Sequence, residues 1–426
     1  MTSTKSDTLL IEEDLPTIDK IVVIGTGFIG LPLALQLAKA GKTVVGVDID
    51  ENLVQAINNQ ALNLDEEELQ TLLESDEVDD NLVARTSPES GDAYVVSVPT
   101  PLAEPQKSPD LASVKAAIES ILPHLTEGDV INIESTIPPL TCEEVIAPML
   151  EESGFSPGED VYLAHSPERI LPGNVFEEIV HNDRVIGGYT RECSRVASQI
   201  YDPFLEADVF HTDLISAELC KLMENTFRDV NIALANEFAL IGRELDIDIT
   251  DVIGLANKHP RVDILNPGIG VGGHCLPVDP WFLNEVNPEH TNLITTARRI
   301  NDMMPEATAR RIRHAMADLD SPTVLALGAA YKPDTQDQRE SPAMDIVDEL
   351  RLDGYDVVHR DRHIDGMEYD ELQMLINDVH PDVIVQLVDH SATAEELTAL
   401  STDLQEDDVL LLRPGSRNPI HPKSDA

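Results

Sequence analysis

Basic residues are scarce in this chain. Lys and Arg number 29 against 79 Asp and Glu, a formal net charge of -50, and only ten of the cations are lysine. Such a surface repels nucleic-acid phosphates and anionic membranes, so neither is an expected partner. The acid excess runs along the whole chain, which excludes an acidic tail as its source and points to a salt-rich cytoplasm that screens the self-repulsion, with mesophilic solubility the alternative reading. Cysteine is equally sparse: four, at positions 142, 193, 220 and 275, with no Cys-x-x-Cys pair. A disulfide framework and a zinc cluster are thereby disfavoured, no metal is expected, and a reduced cytoplasmic setting fits. The segment through Pro16 is polar and acidic and lacks a long apolar core. Neither a signal peptide nor a membrane anchor is expected from it. Low-complexity tracts and short repeats are absent too.

What is present is a strand-helix alternation at both ends. At 426 residues the chain is long enough for two or three domains. Lys20-Ile24 reads as a buried strand, Leu31-Ala40 as a helix closed by Gly41, and Thr43-Asp48 as the next strand. Further strands are expected at 93–98, 129–134 and 161–164. Helical spacing of Ile215, Leu219, Leu222, Met223 and Phe227 opens a helical middle, with a second helical run over 293–319. Alternation resumes at 323–328, 356–359, 383–387 and 409–412. The expected fold is α/β, two Rossmann-like doubly wound parallel sheets joined by a helical central domain.

Gly25, Gly27 and Gly30 follow the first strand and open the first helix, with Phe28 and Ile29 between them and Asp48 ending the second strand. A helix amino terminus holds a pyrophosphate, and a carboxylate at Asp48 accepts from ribose hydroxyls while repelling a 2′-phosphate, so the expected cofactor is NAD. Cys275 stands behind Gly268, Gly270, Gly272 and Gly273 and four residues before Asp279. Glycine allows backbone to approach a ligand closely, which suits a nucleophile, whereas most free cysteines are simply buried small residues. Lys221 and Asn225 are four residues apart on a helix, either as a polar cluster that polarises an alcohol or as a solvated pair. Glu168 follows a strand, where it is a candidate base or a helix-entry residue. Lys332 to Arg339 begins past the first strand of the last sheet and suits phosphate or forms a plain charged loop.

Together these segments resemble the UDP-glucose/GDP-mannose dehydrogenase family. The glycine fingerprint, Ser135-Thr136, Ser166-Pro167-Glu168, Glu218-x-x-Lys221-x-x-x-Asn225, Gly272-Gly273-His274-Cys275-x-x-Val278-Asp279-Pro280 and Lys332-x-x-Thr335-x-Asp337-x-Arg339-x-Ser341-Pro342 occur in family order. The resemblance implies a polar tail over 1–18, an NAD-binding domain over 19–205, a helical dimerising domain with the cysteine loop over 206–318 and a UDP-sugar-binding domain over 319–426. It implies oxidation of a sugar C6 alcohol to a carboxylate with two NAD and one water, through a Cys275 thioester. By the same resemblance Lys221 stabilises the oxyanion, Asn225 and Asp279 assist proton transfer, and Glu168 is the hydrolytic base. Thr100, Thr136 and Arg339 meet NAD. Arg169, Ile170, Lys221, Asn225, Arg228, His259, Arg261, Gly272 and Lys332 meet the UDP-sugar, with Arg413 and Arg417 both candidates for a further contact. Arg261 is expected to reach a neighbouring subunit of a homodimer or higher homo-oligomer.

Within the family, His165–Gly173, His259-Pro260-Arg261-Val262 and Asp279-Pro280-Trp281-Phe282 resemble the branch acting on UDP-N-acetyl-D-mannosamine for surface glycans. Ser166 departs from the cysteine that many of that branch carry. UDP-N-acetylglucosamine and UDP-glucose are the rival substrates; a two-electron β-hydroxyacid dehydrogenase and a non-catalytic nucleotide-sugar binder are the remoter readings.

Overall fold

The computed structural model describes residues 15–62, 67–170, 173–406 and 409–413. Arg417 and the expected tail before Leu15 lie outside the described residues. The chain divides after Met223 into two compact units.

The first unit is built on strands β1 (Lys20–Ile24), β2 (Thr43–Val47), β3 (Leu82–Arg85) and β4 (Ala93–Val96), a short hairpin of β5 (Leu102–Ala103) and β6 (Ser108–Pro109), then β7 (Val130–Ile133), β8 (Tyr162–His165), β9 (Arg184–Gly188) and β10 (Val209–Asp213). All but the hairpin join one sheet in the order β10-β9-β8-β7-β4-β1-β2-β3. Strands β1 to β8 in this sheet pair in parallel, but β9 runs antiparallel to β8 and carries β10 with it. The expected parallel sheet is therefore present with its far edge reversed. Both faces of β1 are covered. Ile21 and Val23 pack into one core with Leu33, Leu37 and Tyr201. Val22 and Ile24 pack into the other with Tyr94, Ile118 and Ile131. That two-sided burial is why β1 reads as a continuous apolar run rather than an alternation.

The long helix Leu214–Glu244 spans the division. Its first residue, Leu214, is buried in the core of the first unit. In the second unit its later turns meet the helix Asn292–Ala315 through a buried polar network. Arg298 Nη1 donates to Asp229 Oδ1 at 2.5 Å, and Asn301 Nδ2 donates to the same oxygen at 2.8 Å. Asn236 Nδ2 donates to Asn301 Oδ1 at 3.0 Å, and Asn236 Oδ1 accepts from Gly268 N–H at 2.8 Å. Removing one partner of such a buried pair costs about 3–5 kcal/mol, since the other charge is stranded. The network thus fixes the start of the cysteine loop. A second sheet follows, β11 (Thr323–Leu327), β12 (Asp356–Arg360), β13 (Val383–Gln386) and β14 (Leu410–Leu412), ordered β12-β11-β13-β14 and parallel throughout.

Candidate active site

In the first unit the chain runs from β1 to β2 and β3 on one side and returns to β4 on the other, so the switch point lies between β1 and β4. Ligands of open α/β sheets bind outside such a point. Gly25 has φ +90°, and a Cβ there would stand 2.2 Å from Ser97 O; one on Gly30 would stand 1.9 Å from Gly25 O. These two glycines are demanded by packing. A Cβ on Gly27 would meet nothing within 4 Å, so the middle glycine faces open space where the helix Gly30–Lys39 begins, and Phe28 beside it is exposed. Asp48 is held just past β2, accepting Thr26 N–H at Oδ2 (3.0 Å) and Asp50 N–H at Oδ1 (3.0 Å). Thr100 Oγ1 donates to Thr136 O at 2.7 Å, which joins the ends of β4 and β7. An open helix terminus flanked by a fixed carboxylate fits the dinucleotide NAD.

Beyond β8 the same unit buries Glu168. Its Oε1 accepts Arg169 N–H, and its Oε2 has no hydrogen-bond partner among the described residues. Burial holds this carboxyl above the usual carboxylate range, and the charges of Arg184 and Lys221 offset only part of that rise. Arg169 turns its guanidinium to Asp183 O at 2.7 Å, and Ile170 donates its N–H toward Glu168. Glu218, one turn before Lys221, is also buried: its carboxylate accepts Leu140 N–H (2.7 Å) and Cys142 N–H (2.9 Å), and burial pushes it up to about 7. The helix carrying Lys221 is thereby tied to the loop that follows Thr136.

In the second unit Asn225 Nδ2 donates to Asp279 Oδ2 at 2.6 Å, with both residues buried. Cys275 O accepts Val278 N–H at 3.0 Å and Asp279 N–H at 2.8 Å, starting the helix Asp279–Val286. Cys275 and Cys220 are partly exposed, unlike the buried Cys142 and Cys193. The loop before it is pressed onto the segment after β11. A Cβ on Gly272 would lie 2.4 Å from Glu340 O, and one on Gly273, whose φ is +88°, would lie 3.0 Å from the Tyr331 ring. Gly273 N–H donates to Arg339 O at 2.9 Å. Arg339 forks onto Asp337, with Nε to Oδ1 at 2.9 Å and Nη2 to Oδ2 at 2.6 Å; that contact raises it, and Cys275 and Tyr331 add to the effect. Burial lifts Tyr331, Asp337 and Cys275 add to the lift, and Arg339 and Arg228 oppose it. Cys275, Gly272, Arg228 and Arg339 are thus brought round one tyrosine.

His259 and Arg261 stand on an exposed turn after the helix Ile249–Ala256, where Arg261 N–H donates to His259 Nδ1 at 3.4 Å. Lys332 is half-buried after β11. Arg413 follows β14 with Nε and Nη2 buried and without hydrogen-bond partners among the described residues, and its charge offsets the burial that raises Asp389. Asp334, His363 and His390 bring ligand-type atoms within 4.8 Å of one another. His390 is already engaged at both nitrogens, accepting Asp334 N–H at 2.9 Å and facing Asp361 Oδ2 at 2.9 Å. The trio is better described as a hydrogen-bonded brace of the second sheet than as an ion site.

Sequence reasoning missed Glu134, Arg184 and Tyr201. Arg184 Nη1 donates to Glu134 Oε1 at 3.1 Å, Tyr201 OH to the same oxygen at 3.3 Å, and the guanidinium lies 4.0 Å from the Tyr201 ring centroid. The available signal was an acid directly before Ser135-Thr136, at the end of an apolar strand.

A dinucleotide fingerprint at the switch point of an open α/β sheet fits an NAD-dependent dehydrogenase. Residues 19–205 match the NAD binding domain, 215–303 the central domain and 325–409 the UDP binding domain of the UDP-glucose/GDP-mannose dehydrogenases. The chain belongs to this family. It is 45% identical over 378 residues to a UDP-N-acetyl-D-mannosamine dehydrogenase of Methanococcus aeolicus, covering 88% of this chain and 85% of that one. An NDP-N-acetyl-D-galactosaminuronic acid dehydrogenase of Ralstonia solanacearum is 39% identical over 418 residues, covering 94% of this chain and 96% of that one. The solved UDP-D-ManNAc dehydrogenase of Pyrococcus horikoshii superposes with a TM-score of 0.86 at 36% identity, over 94% of this chain and 97% of that one. The protein is an NAD-dependent UDP-sugar dehydrogenase.

Proposed function

We propose that the chain oxidises UDP-N-acetyl-D-mannosamine at C6 to the uronate, by way of a thioester on Cys275. The observation that carries the substrate is the 45% identity to a relative named for that sugar, spanning 88% of the chain. NAD, when bound, supplies the hydride acceptor for both oxidations. Gly25, Gly27, Phe28, Ile29, Gly30, Asp48, Thr100, Thr136 and Arg339 hold it. Lys221 carries the positive charge that stabilises the alkoxide and later oxyanions. Cys275 Sγ adds to the C6 aldehyde as a thiohemiacetal, which retains the sugar until it has been oxidised to the thioester. Asn225 and Asp279 pass protons beside it, and Glu168 takes a proton from the water that cleaves the carbon–sulfur bond.

Arg169, Ile170, Arg228, His259, Arg261, Gly272 and Lys332 bind the sugar nucleotide. Arg413 is preferred to Arg417 for a further contact because its buried guanidinium nitrogens have no hydrogen-bond partner among the described residues. Met223, Phe227, Leu234 and Ile241 form an exposed apolar stripe along the long helix, and this supports a homodimer formed on that face. No helix among the described residues is long and apolar enough to cross a membrane. The net charge of -50 supports work in a salt-rich cytoplasm, where the uronate feeds surface polysaccharide synthesis.

Turnover measured side by side in high salt on UDP-N-acetylmannosamine, UDP-N-acetylglucosamine and UDP-glucose tests the substrate. The first is expected to give the highest kcat/KM. Equal or better turnover of either other sugar overturns the assignment.

A further inference from the structure

Glu168 has a buried electrostatic setting of its own in the first unit. Strand β7 pairs with β8, and β8 with β9, through Ile133↔His165 and His165↔Gly187. Because β9 is antiparallel to β8, with Ala164↔Gly188 and His165↔Gly187 in register, the first residue of β9, Arg184, lies toward the end of the sheet from which the chain leaves β8 for Glu168. A parallel β9 would carry its first residue to the other end of the sheet, so the reversed edge is what delivers the guanidinium. Arg184 is buried, with one nitrogen 3.1 Å from Glu134 Oε1 and its plane against Tyr201. Tyr201 in turn accepts Asn132 Nδ2–H at 2.8 Å. This clamp leaves the guanidinium few other positions.

The charges facing Glu168 come from each neighbouring element: Glu134 after β7, Arg184 on β9, and Lys221 on the long helix. Tyr201 and His165 also lie in the buried cluster, Tyr201 kept a phenol by burial and the His165 imidazole kept neutral because burial holds it down to about 3. Two cations therefore balance two carboxylates. In a low-dielectric site that balance decides which carboxylate carries a proton. Arg184 serves both acids, so removing it leaves one excess negative charge, and removing the Glu134 charge leaves the cation to Glu168.

We propose that Arg184, clamped by Glu134 and Tyr201, is a positioning residue that keeps Glu168 ionised as the proton acceptor for thioester hydrolysis, with Glu134 competing for the same cation. This rests on the reading of Glu168 as the hydrolytic base. In that step a water oxygen bonds to the thioester carbon, the carbon–sulfur bond breaks with its electron pair going to Sγ, and Glu168 holds the proton removed from water. Arg184 exchanges no proton; it fixes the pH range in which Glu168 is available.

The experiment uses the full-length enzyme in high salt with the best-turned-over UDP-sugar. It follows the pre-steady-state burst of NADH and the pH profile of steady-state uronate release for Arg184→Gln, Arg184→Lys, Glu134→Gln and Glu168→Gln. Arg184→Gln is expected to keep the burst, lose at least tenfold in steady-state rate at pH 7, and move the acid limb of the profile to higher pH. Arg184→Lys recovers part of that shift. Glu134→Gln moves the limb the opposite way, which loss of structure cannot do. An acid limb that stays in place in both Arg184→Gln and Glu134→Gln, while Glu168→Gln stops hydrolysis, overturns the proposal alone. Wild-type hydrolysis by Glu168→Gln overturns the base assignment and the proposal with it. If Arg184→Gln does not fold, Glu134→Gln decides: an unmoved limb counts against the proposal.

Discussion

The chain has two glycine-rich loops, and they use glycine for different reasons. In the loop after β1, Gly25 and Gly30 are required by protein contacts, but Gly27 borders open space. In the loop before Cys275, Gly270, Gly272 and Gly273 are all filled from the protein side, by Pro342, Glu340 O and Tyr331. Besides any approach by a ligand, these later glycines have a mechanical use: they let the loop lie flat on the segment after β11, and so fix where Cys275 stands. Of these six glycines five are demanded by the protein's own contacts and one, Gly27, borders open space, and only the neighbours of each Cβ separate the two uses.

The largest effect that sharpens this contrast is expected from Gly272→Ala. Its methyl would stand 2.4 Å from a backbone oxygen and 2.8 Å from Tyr331 Cβ, so the loop must shift. A displacement near 1 Å is enough for a roughly hundredfold loss in kcat; titration should show NAD affinity unchanged. Gly25→Ala acts on the other loop by strain. With φ +90° and Ser97 O at 2.2 Å, it should lower stability by about 1–3 kcal/mol in denaturant melts. Gly27→Ala is the discriminating variant, expected to leave the melting temperature close to wild type while weakening NAD binding about tenfold. A drop in melting temperature with unchanged NAD affinity would break the contrast.

A separate test concerns pH. Burial raises Glu218 from its ordinary range to about 7, so the folded chain holds this proton longer than the unfolded chain does. Its contribution to stability is fully present below about pH 4.5 and is lost as pH rises through 7, in total up to about 3 kcal/mol. Between pH 5 and 8 the melting temperature should fall, and Glu218→Gln should flatten that fall. An identical slope in the variant contradicts the assignment.

Legibility followed burial and locality. Strands β1, β2, β4, β7 and β8 and all four of the second sheet stood out as apolar runs because both their faces are covered. Strands β3, β9 and β10 did not. Leu82–Arg85 and Val209–Asp213 are sheet edges with mostly exposed or half-buried side chains, and Arg184–Gly188 begins on a cation and ends on two glycines. The motif residues were readable because their spacing is local. Asn225 with Asp279 and Cys275 with Arg339 lie in separate motifs, and only the fold brings each pair together. Glu134 and Arg184 are 50 residues apart in sequence, and their meeting depends on the reversed β9, which nothing in the local pattern announces. Asp229 and Arg298, 69 apart, look like ordinary helix-surface charges until two long helices face each other.

The central claim is that Cys275 holds the sugar between two oxidations, and NADH counted per sugar tests it most directly. With limiting UDP-N-acetylmannosamine and excess NAD in high salt, wild type is expected to form two NADH and one uronate per sugar, and Cys275→Ser to release no uronate. One NADH per sugar from the wild type, or full uronate formation by Cys275→Ser, contradicts the account.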